Sequence, residues 1–541
     1  MHLLIFHGYL LRGTGSNVYN ARLVPALVRA GHTVDLLAQD SQADELDWVD
    51  AIGSLAPDGA VTGVEVLRDP VAVTVWQPDI DGLLPVYVKD RYTGFRVETF
   101  VACTPQEVEA YVVANARAIA AIAARRRPDL ALINHIVMGP LAAARGLPLD
   151  VPYAVKVHGS DLEYAVAQDP ARFVPLALEG IARAATLLVG SGHTARRMFE
   201  LLGDPALSER TRLGPPGVDT DAFAPRQLTT AQAEVRGIAE RLLALPARPD
   251  DGGTFARDEH AVARALLALD LTDGPHVAYV GKLLRNKGVD LLAVAWPLVL
   301  AAHPAAKLVV VGFGAFAQPF DALVAALGAG DLDAVRALCA EHDLRHVDAF
   351  LEAGGADAAY LAAARDIGAS VARTGRLEHD ELAPLLAACT AQVVPSTFPE
   401  AFGMVAAEAA AAGVLPIVAA HSGLDEVAAT LEAGLPPEAC DLLRFEIGPQ
   451  AVGDLADRLV YWLAMTPERR DVVRASLVAT ARRLFGWDGV ADGVVAAAQG
   501  RHDELARFPA RSRACSATGF PVASAYQAPT CPGYTATWDE R

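Results

Sequence analysis

The amino-acid sequence predicts an α/β protein built from two Rossmann-like halves in series, each a doubly wound parallel sheet. Short apolar runs alternate with helical patterns in both halves, which is typical of βαβ units. The first half opens with the apolar run LLIF, a helix over 17–30 that stops at Gly31, and the strand HTVDLLA. The second opens with HVAYVG and continues through KLVVVGFG, AQVVPS and LPIVAA. Open sheets of this kind bind ligands at the carboxyl ends of their strands, so we expect the functional site there.

The length of the chain predicts more than one domain. Its 541 residues exceed what a single hydrophobic core usually organises. We place one Rossmann-like domain at 1–220, a linker or helical insertion at 221–274, and a second Rossmann-like domain at 275–485. Within the second domain, 315–370 are longer than a doubly wound connection requires and are predicted to be a helical insertion. The Ser-, Thr-, Pro- and Gly-containing stretch 501–541 lacks periodicity and is predicted to be a flexible tail.

The composition argues against several classes of protein. A net charge of −19 disfavours binding to nucleic acid or anionic lipid. The 52% apolar content includes no charge-free run of the about 20 residues that a transmembrane helix needs. The N-terminal MHLLIFHGYL lacks a basic leader and is interpreted as a buried strand, not an export signal. Six cysteines without a CxxC pair argue against a disulfide framework and a zinc site, so we expect a cytoplasmic protein.

The segment PSTFPEAFGMVAAEAAAAG (395–413) carries the strongest chemical signal. The pattern predicts the end of a strand, then a Pro-containing turn that carries Glu400. A helix that contains Glu408 is predicted to start near Phe402 or Gly403. A helix N-terminus at the end of a parallel strand presents free amides to an anion. Carboxylates beside it can accept hydrogen bonds from sugar hydroxyls. Taken alone, two glutamates eight residues apart fit a solvated helix face better than a ligand site, and the surrounding motifs reverse that preference.

The segment VGKLLRNKGVDLL places Lys282 and Lys287 on a loop after the strand HVAYVG. Two lysines in that position can neutralise a diphosphate leaving group. Either lysine alone fits an ordinary surface position equally well.

Together these motifs resemble family 4 of the glycosyltransferases, whose GT-B fold has two Rossmann-like domains facing an interdomain cleft. Its Gly-Arg-…-Lys-Gly pattern is similar to residues 281–288, and its E-x7-E motif to residues 400–408. TGRLEHDELAPLLAAC and HSGLDEV resemble the segments before and after that motif. GTGSNVY, VHGSDLE and GPPGVDTDAF resemble the family's glycine loop, its His-bearing loop and the segment that leaves its first domain. The motifs keep the family order from Leu3 to Trp487.

Three residues depart from the family pattern. Lys282 replaces the usual Arg, which keeps the charge but loses the bidentate fork, and Arg285 is close enough in sequence to compensate. Ser422 stands where the first of two glycines is common, and Pro216 stands where Asn is common. These departures bear on local loop geometry and not on the class of protein.

The resemblance implies a retaining, metal-independent glycosyltransferase. It would move a hexosyl unit from a UDP-, GDP- or ADP-sugar to a hydroxyl of a small-molecule or glycan acceptor. The first domain would bind the acceptor, the second the nucleotide sugar, and a helix over 486–500 would pack back on the first domain. The resemblance implies no cofactor, no metal, and a monomer or homodimer.

The same resemblance implies roles for individual residues. Glu408 would bind the ribose hydroxyls, and His158 would contact the sugar near the reacting face. Glu400, with the amides of Phe402, Gly403 and Met404, would hold the transferred sugar. Gly15, Lys282 and Lys287 would stabilise the diphosphate, and Thr14, Asn17 and Tyr19 are acceptor contacts by position alone.

Other classes of protein stay open from the sequence. A GT-B epimerase or phosphorylase would use the same phosphate cradle, and a non-catalytic sugar-binding relative would keep the fold. A dinucleotide-dependent oxidoreductase shares Rossmann halves, but it requires a GxGxxG turn, and Val18 stands where the third glycine belongs.

Overall fold

The protein is described by a computed structural model that covers residues 1–13, 15–88, 92, 94–246 and 257–508. Thr14, predicted to contact the acceptor, and residues 509–541 of the predicted tail lie outside the described residues. Within the described ranges, no helix combines the length and the apolarity needed to cross a membrane.

The N-terminal half is organised around a parallel sheet whose inner strands are buried on both faces, as their continuous apolar sequences require. Its strands are β1 (His2–Phe6), β2 (Thr33–Leu37), β3 (Ala51–Leu55), β4 (Val61–Val66), β5 (Val73–Pro78), β6 (Leu83–Val86), β7 (Arg96–Thr99), β8 (Leu130–Asn134), β9 (Tyr153–Val157), β10 (Thr186–Val189) and β11 (Thr211–Leu213). In the described chain nine of these form one sheet in the order β11-β10-β9-β8-β1-β2-β5-β3-β4, and β6 pairs with β7 apart from it.

One edge of this sheet departs from the parallel pattern. β4 runs antiparallel to β3 as a hairpin, and most of its residues are exposed. The connection contains Pro57, Asp58 and Gly59, which are residues that favour tight turns. A short turn can join only antiparallel neighbours, so this edge strand is antiparallel.

Helices cover both faces of the N-terminal sheet. They are α1 (Ser16–Arg29), α2 (Pro105–Arg126), α3 (Gly139–Gly146), α4 (Pro170–Ile181) and α5 (Gly192–Leu202). The start of α2 is fixed by a capping box, in which Thr104 and Glu107 satisfy each other's backbone amides.

The C-terminal half contains a second, fully parallel sheet in the order β14-β13-β12-β15-β16-β17. The strands are β12 (His276–Val280), β13 (Lys307–Val311), β14 (Val371–Gly375), β15 (Ala391–Val394), β16 (Leu415–Ala419) and β17 (Arg444–Phe445). The helices from the linker onward are α6 (Leu228–Ala244), α7 (Glu259–Leu267), α8 (Val289–Ala302), α9 (Ala317–Ala329), α10 (Leu332–His342), α11 (Arg345–Glu352), α12 (Ala358–Ala364), α13 (Ile367–Ser370), α14 (His379–Ala387), α15 (Met404–Ala411), α16 (Ser422–Glu432), α17 (Ala451–Ala464), α18 (Pro467–Phe485) and α19 (Trp487–Ala498). Helices α9 to α13 occupy the connection between β13 and β14.

The chain crosses between the halves at two adjacent segments. The Val218 amide donates to the Phe485 carbonyl over 2.6 Å, which holds the outgoing and returning strands of the crossover together. Beyond it, α19 packs against α1, β8 and β9 of the first half, and Trp487 lies 5.6 Å from Tyr19 between ring centroids.

The beginning of the predicted flexible tail is instead packed on the N-terminal domain. Nε2 of His502 lies 3.0 Å from the Ala185 carbonyl, and the Leu213 amide donates to the Ala506 carbonyl over 2.8 Å. Phe508 contacts Phe199 with 5.7 Å between ring centroids. Residues 501–508 are therefore packed and not a loose tail, because a backbone hydrogen bond and a few side chains anchor them, and such contacts leave no periodic pattern in the sequence.

Candidate active site in the cleft between the two domains

Glu400 forms an ion pair with Lys287. The two residues come from the loops after β15 and β12, which are neighbouring strands, so their carboxyl ends bring the side chains together. The Ser396 hydroxyl donates to the same carboxylate oxygen over 2.9 Å. The Glu400 and Lys287 side chains are 24% and 33% exposed, so both keep some surface that a ligand can contact.

Two special backbone conformations hold this pair in place. Gly288 has a φ of 68°, and a Cβ there would lie 1.9 Å from the Pro395 carbonyl oxygen, so only glycine allows the two loops to approach. Ser422 also has a positive φ, 55°, and its hydroxyl accepts a hydrogen bond from the Glu400 amide over 2.9 Å. The serine therefore holds a left-handed backbone conformation that glycine adopts more readily, and its hydroxyl adds a contact to the loop that carries Glu400.

Glu408 is paired with a histidine that the sequence analysis did not single out. Nε2 of His379, the first residue of α14, lies 3.3 Å from the Glu408 carboxylate. The Glu408 side chain is 5% exposed, and that of His379 is 30% exposed. Burial alone would lower the pKa of His379, but its hydrogen bond to Glu408 and the charge of that carboxylate outweigh burial and raise the pKa above its usual 6.5.

The start of α15 lies between the two glutamates. The helix begins at Met404 with Gly403 as its N-cap, one or two residues later than the sequence suggested. The first amides of a helix have no acceptor within the helix, so this end can receive an anionic or hydroxyl ligand. The Phe402 ring packs edge-on against Phe485, with 5.7 Å between centroids, so its side chain faces the crossover and not the cleft.

Lys282 lies on the loop that also carries Lys287. Its carbonyl accepts a hydrogen bond from the Tyr279 hydroxyl over 3.0 Å, which ties the loop to β12. Arg285, considered as a substitute for the missing arginine, pairs with Asp343 at 2.6 Å instead. That ion pair engages the guanidinium with α10 and its C-terminal turn.

On the N-terminal domain, a chain of hydrogen bonds orients His158. The Asn134 amide nitrogen donates to the Phe6 carbonyl over 3.0 Å and to the Asn20 side-chain oxygen over 2.9 Å. The Asn134 oxygen is therefore an acceptor, and it lies 2.8 Å from Nε2 of His158. His158 consequently carries its proton on Nε2 and leaves Nδ1 as an acceptor.

Three histidines stand in a row where β1, β8 and β9 end. His135 lies 6.3 Å from His7 and 4.7 Å from His158 between ring centroids. Burial is the main cause that lowers the pKa of His7 to about 4 and the pKa values of His135 and His158 well below 6.5. The row is thus uncharged at neutral pH.

The residues predicted near the acceptor are placed differently from one another. Gly15 is the N-cap of α1 with a φ of 61°, and no atom lies within 4 Å of the place a Cβ would take, so a ligand can approach its backbone. Asn17 is buried, with its oxygen 3.0 Å from Nε2 of His7. Tyr19 is 2% exposed and packs between His158 and Trp487, so it belongs to the core and is not available to a ligand.

The two domains touch beside Glu400. A Cβ on Gly159 would lie 3.0 Å from the Ala401 Cβ, so the loop that carries His158 abuts the loop that carries Glu400. The Glu426 carboxylate, on α16, accepts from the Gly192 and His193 amides at the start of α5 over 2.6 and 2.7 Å. A side chain of one domain therefore caps a helix of the other.

A cavity of about 2170 Å³ lies between the two domains, and Glu400, Lys287 and Glu408 are not among the described residues that form its wall. Its wall includes Gly13 and Arg22 of the first domain and Arg376 and His379 of the second. Residues of α7 line it as well, and the Arg257 guanidinium, just before α7, holds Glu381 over 2.5 and 2.8 Å. The linker region therefore contributes one side of this cavity.

The sequence analysis missed residues that carry no motif of their own. His379 and Ser396 contact the two glutamates, Asn134 orients His158, and Glu426 joins the domains. His379 and Glu426 lie inside the quoted segments TGRLEHDELAPLLAAC and HSGLDEV, so their positions were accessible from the sequence. Their partners were not, because each pairing crosses between elements distant in the chain.

Two family models, one for each domain, together match most of the chain. The model for group 1 glycosyl transferases matches residues 269–475, and that for the glycosyl transferase 4-like domain matches residues 14–217. Among curated proteins, the chain is 28% identical over 296 residues to a D-inositol 3-phosphate glycosyltransferase of Segniliparus rotundus. A match to a glycogen synthase of Halorhodospira halophila is 37% identical over 98 residues.

These curated relatives are matched over part of their length. The alignments cover 51% of this chain and 52% of the Segniliparus protein, and 18% of this chain and 17% of the Halorhodospira protein. Among solved structures, the catalytic domain of starch synthase IV from Arabidopsis thaliana, bound to ADP and acarbose, has a TM-score of 0.55 at 14% identity and covers 92% of this chain and 98% of its own. Anabaena HepE in complex with UDP and glucose has a TM-score of 0.51 at 15% identity, with 91% and 98% covered. At such identities the solved structures establish the shared GT-B fold alone.

Proposed function

The chain belongs to the group 1 glycosyltransferases, and we propose that it transfers a hexosyl unit from a nucleotide sugar to a hydroxyl of an acceptor with retention of configuration. The observation that carries this proposal is the pairing of Lys287 with Glu400 beside the N-terminus of α15. A cation, a carboxylate and the first amides of a helix lie together at the carboxyl ends of neighbouring strands. This combination suits a sugar diphosphate, because the sugar hydroxyls can donate to the carboxylate and the phosphates can accept from the cation and the amides.

The residues of the second domain would divide the donor between them. Glu400 and the amides of Phe402, Gly403 and Met404 would bind the sugar, and Glu408 would bind the ribose hydroxyls. Lys282 and Lys287 would stabilise the negative charge that develops on the diphosphate as the glycosidic bond breaks. The backbone at Gly15, at the start of α1, would add hydrogen-bond donors to the same phosphates.

The first domain would supply the acceptor side. His158, with its free Nδ1 and its loop against Ala401, would contact the sugar near the reacting face. We propose front-face substitution, in which the acceptor hydroxyl attacks from the side of the departing nucleotide and a phosphate oxygen takes its proton. This mechanism depends mainly on positioning and on charge stabilisation, which the two faces of a cleft can provide.

The reaction as proposed requires no metal ion, because the lysines and helix amides would neutralise the leaving group. Among the described residues, no group of three or more His, Cys, Asp or Glu side chains is placed to hold a metal ion. Because the lysines and helix amides would carry out the neutralisation, activity is expected to persist in a chelator.

A donor screen tests the function. Thermal unfolding with UDP-, GDP- and ADP-glucose and with the matching mannose donors should reveal one nucleotide that raises the melting temperature, because a ligand that binds only the folded state stabilises it. Transfer from that donor to a panel of sugars and polyols should then continue in EDTA, and NMR of the product should show the anomeric configuration of the donor. Stabilisation by none of the nucleotides, or epimerisation of the donor without an acceptor, would overturn the proposal.

A further inference from the structure

The carboxylate proposed to bind ribose is covered by an imidazole. Nε2 of His379 lies 3.3 Å from Oε1 of Glu408, and His379 lies on the wall of the cavity in the cleft. With a side chain only 5% exposed, Glu408 presents little surface of its own. A ribose arriving from the cleft therefore meets His379 before it can reach the carboxylate.

We propose that His379 competes with the ribose of the nucleotide for Glu408, so that its imidazole turns away from the carboxylate when the donor binds. This inference rests on the proposed function, in which Glu408 accepts hydrogen bonds from the ribose hydroxyls. Without a ligand, a buried carboxylate needs a donor to offset the cost of leaving water. His379 supplies that donor until the ribose replaces it.

The surroundings of His379 allow such a movement. The residue is the first of α14, and the preceding Glu378 anchors that helix end in a capping box with Glu381. The backbone is thus fixed, and the His379 side chain, which is 30% exposed, lies at the wall of the cavity, where there is space for it to move. On its other side the imidazole contacts the buried Phe223 ring edge-on, with 6.0 Å between centroids.

The competition makes binding of the nucleotide depend on pH. The charged groups facing His379 are Glu408 from α15, Arg22 from α1 and Glu378 from its own helix end, and Phe223 adds no charge. Burial lowers the pKa of His379, but the hydrogen bond to Glu408 and the charge of that carboxylate raise it by more than burial lowers it, so the pKa lies above 6.5. When the ribose binds Glu408, His379 loses the hydrogen bond and the close negative charge that raise its pKa. A protonated His379 therefore releases its proton when the nucleotide binds. Apparent affinity therefore falls with falling pH, by at most about tenfold per pH unit for one proton.

Calorimetric titration of the full chain tests this inference. The dissociation constant of UDP, GDP or ADP, whichever binds most tightly, is measured at pH 8, 7 and 6 for the wild type and His379→Ala. The ratio of the two constants at each pH removes the titration of the nucleotide itself. We expect the wild type to lose about threefold or more in affinity relative to the variant between pH 8 and pH 6.

A matched control is available on α10. His342 lies 3.8 Å from the exposed carboxylate of Glu341 and packs edge-on against Phe316 at 5.7 Å between centroids, so it is a histidine with a carboxylate and an aromatic neighbour in a different part of the domain. His342→Ala should follow the pH dependence of the wild type. Thermal unfolding at pH 8 confirms that each variant is folded before its binding is compared.

A nucleotide without ribose hydroxyls gives the second readout. The 2′,3′-dideoxynucleoside diphosphate has no hydroxyls to offer Glu408, so the difference between wild type and His379→Ala should disappear with it. A ratio that stays constant with pH, or a pH-dependent ratio that persists with the dideoxy compound, would overturn the competition alone. Absence of binding by UDP, GDP and ADP at every pH would overturn the proposed function together with it.

Discussion

The two faces of the cleft hold their polar groups in opposite ways. On the C-terminal domain, Glu400 is paired with Lys287 and Glu408 with His379, so each carboxylate has a basic partner. On the N-terminal domain, His7, His135 and His158 are kept uncharged, mainly by burial, and His7 and His158 are held by hydrogen bonds to Asn17 and Asn134. Charged pairs near a surface can exchange partners when an anionic ligand arrives, whereas a buried neutral network keeps its geometry. If the C-terminal face binds the donor as proposed, the comparison predicts that this face rearranges on binding and that the N-terminal face is preformed.

Removal of Glu400 should have the largest effect. We expect Glu400→Ala to lower transfer by about 10²–10³-fold, because it deletes the acceptor proposed for the sugar hydroxyls and disrupts positioning. The nucleoside diphosphate should still raise the melting temperature, since Glu408 and α15 are unchanged. Initial rates with saturating donor, and thermal unfolding with and without nucleotide, measure both. Transfer equal to that of the exposed-site control Glu438→Ala would contradict the assignment.

Removal of Lys287 separates the phosphate role from the ion pair. Lys287→Ala should reduce kcat/KM by about 10–100-fold, since a charge-assisted contact to the leaving diphosphate is lost. The loss of affinity should be greater for the nucleoside diphosphate than for the monophosphate, which titration calorimetry can measure. Lys287→Arg keeps the charge and should recover part of the rate. Equal losses for both nucleotides would indicate that Lys287 serves only to hold Glu400.

The neutral network of the N-terminal domain should make the fold sensitive to acid. The pKa of His7 is lowered from 6.5 to about 4, mainly by burial, so the unfolded chain binds a proton more readily than the folded one. The contribution of neutral His7 to the free energy of unfolding is therefore fully present above pH 6.5 and decreases as the pH falls toward 4. The loss for this residue is about 2 kcal/mol at pH 5.

Urea unfolding at pH 7 and pH 5 measures this effect. His7→Gln should lose less free energy of unfolding than the wild type between the two pH values, although it starts from lower stability at pH 7. The control His303→Gln, in the C-terminal domain, should show the same loss as the wild type. A wild-type loss that His7→Gln does not reduce would show that other groups dominate acid unfolding.

Removal of the Glu426 carboxylate, which joins the two domains, should have the smallest effect on transfer. Glu426→Ala removes the acceptor for the Gly192 and His193 amides, a change of about 1 kcal/mol for a helix cap. We expect a few-fold rise in the donor KM, a smaller change in kcat, and a larger radius of gyration by small-angle X-ray scattering without nucleotide. Asp357→Ala removes the cap of α12 within one domain and should leave the radius unchanged. An unchanged radius in Glu426→Ala would show that this contact does not hold the domains together.

The sequence predicted the donor face better than the N-terminal face, for a physical reason. Glu400, Glu408 and the start of α15 lie within one short segment, and Lys282 and Lys287 share one loop, so local spacing and strand ends indicate their arrangement. His158 was found by resemblance, but Asn134, which orients it, comes from another strand. Tyr19 and Asn17 follow the glycine loop closely and were expected at a ligand, yet packing against Trp487 and His7 uses them in the interior.

The sequence by itself determined two Rossmann-like halves, because apolar runs and helical periodicity are local and state which faces must be buried. It also determined the family, through motifs that keep their order along the chain. Only the tertiary structure decided which partner each charged group takes. Lys287 meets Glu400, His379 meets Glu408 and Glu426 caps α5 because the ends of distant strands and two separate domains converge, and no local pattern encodes such a meeting.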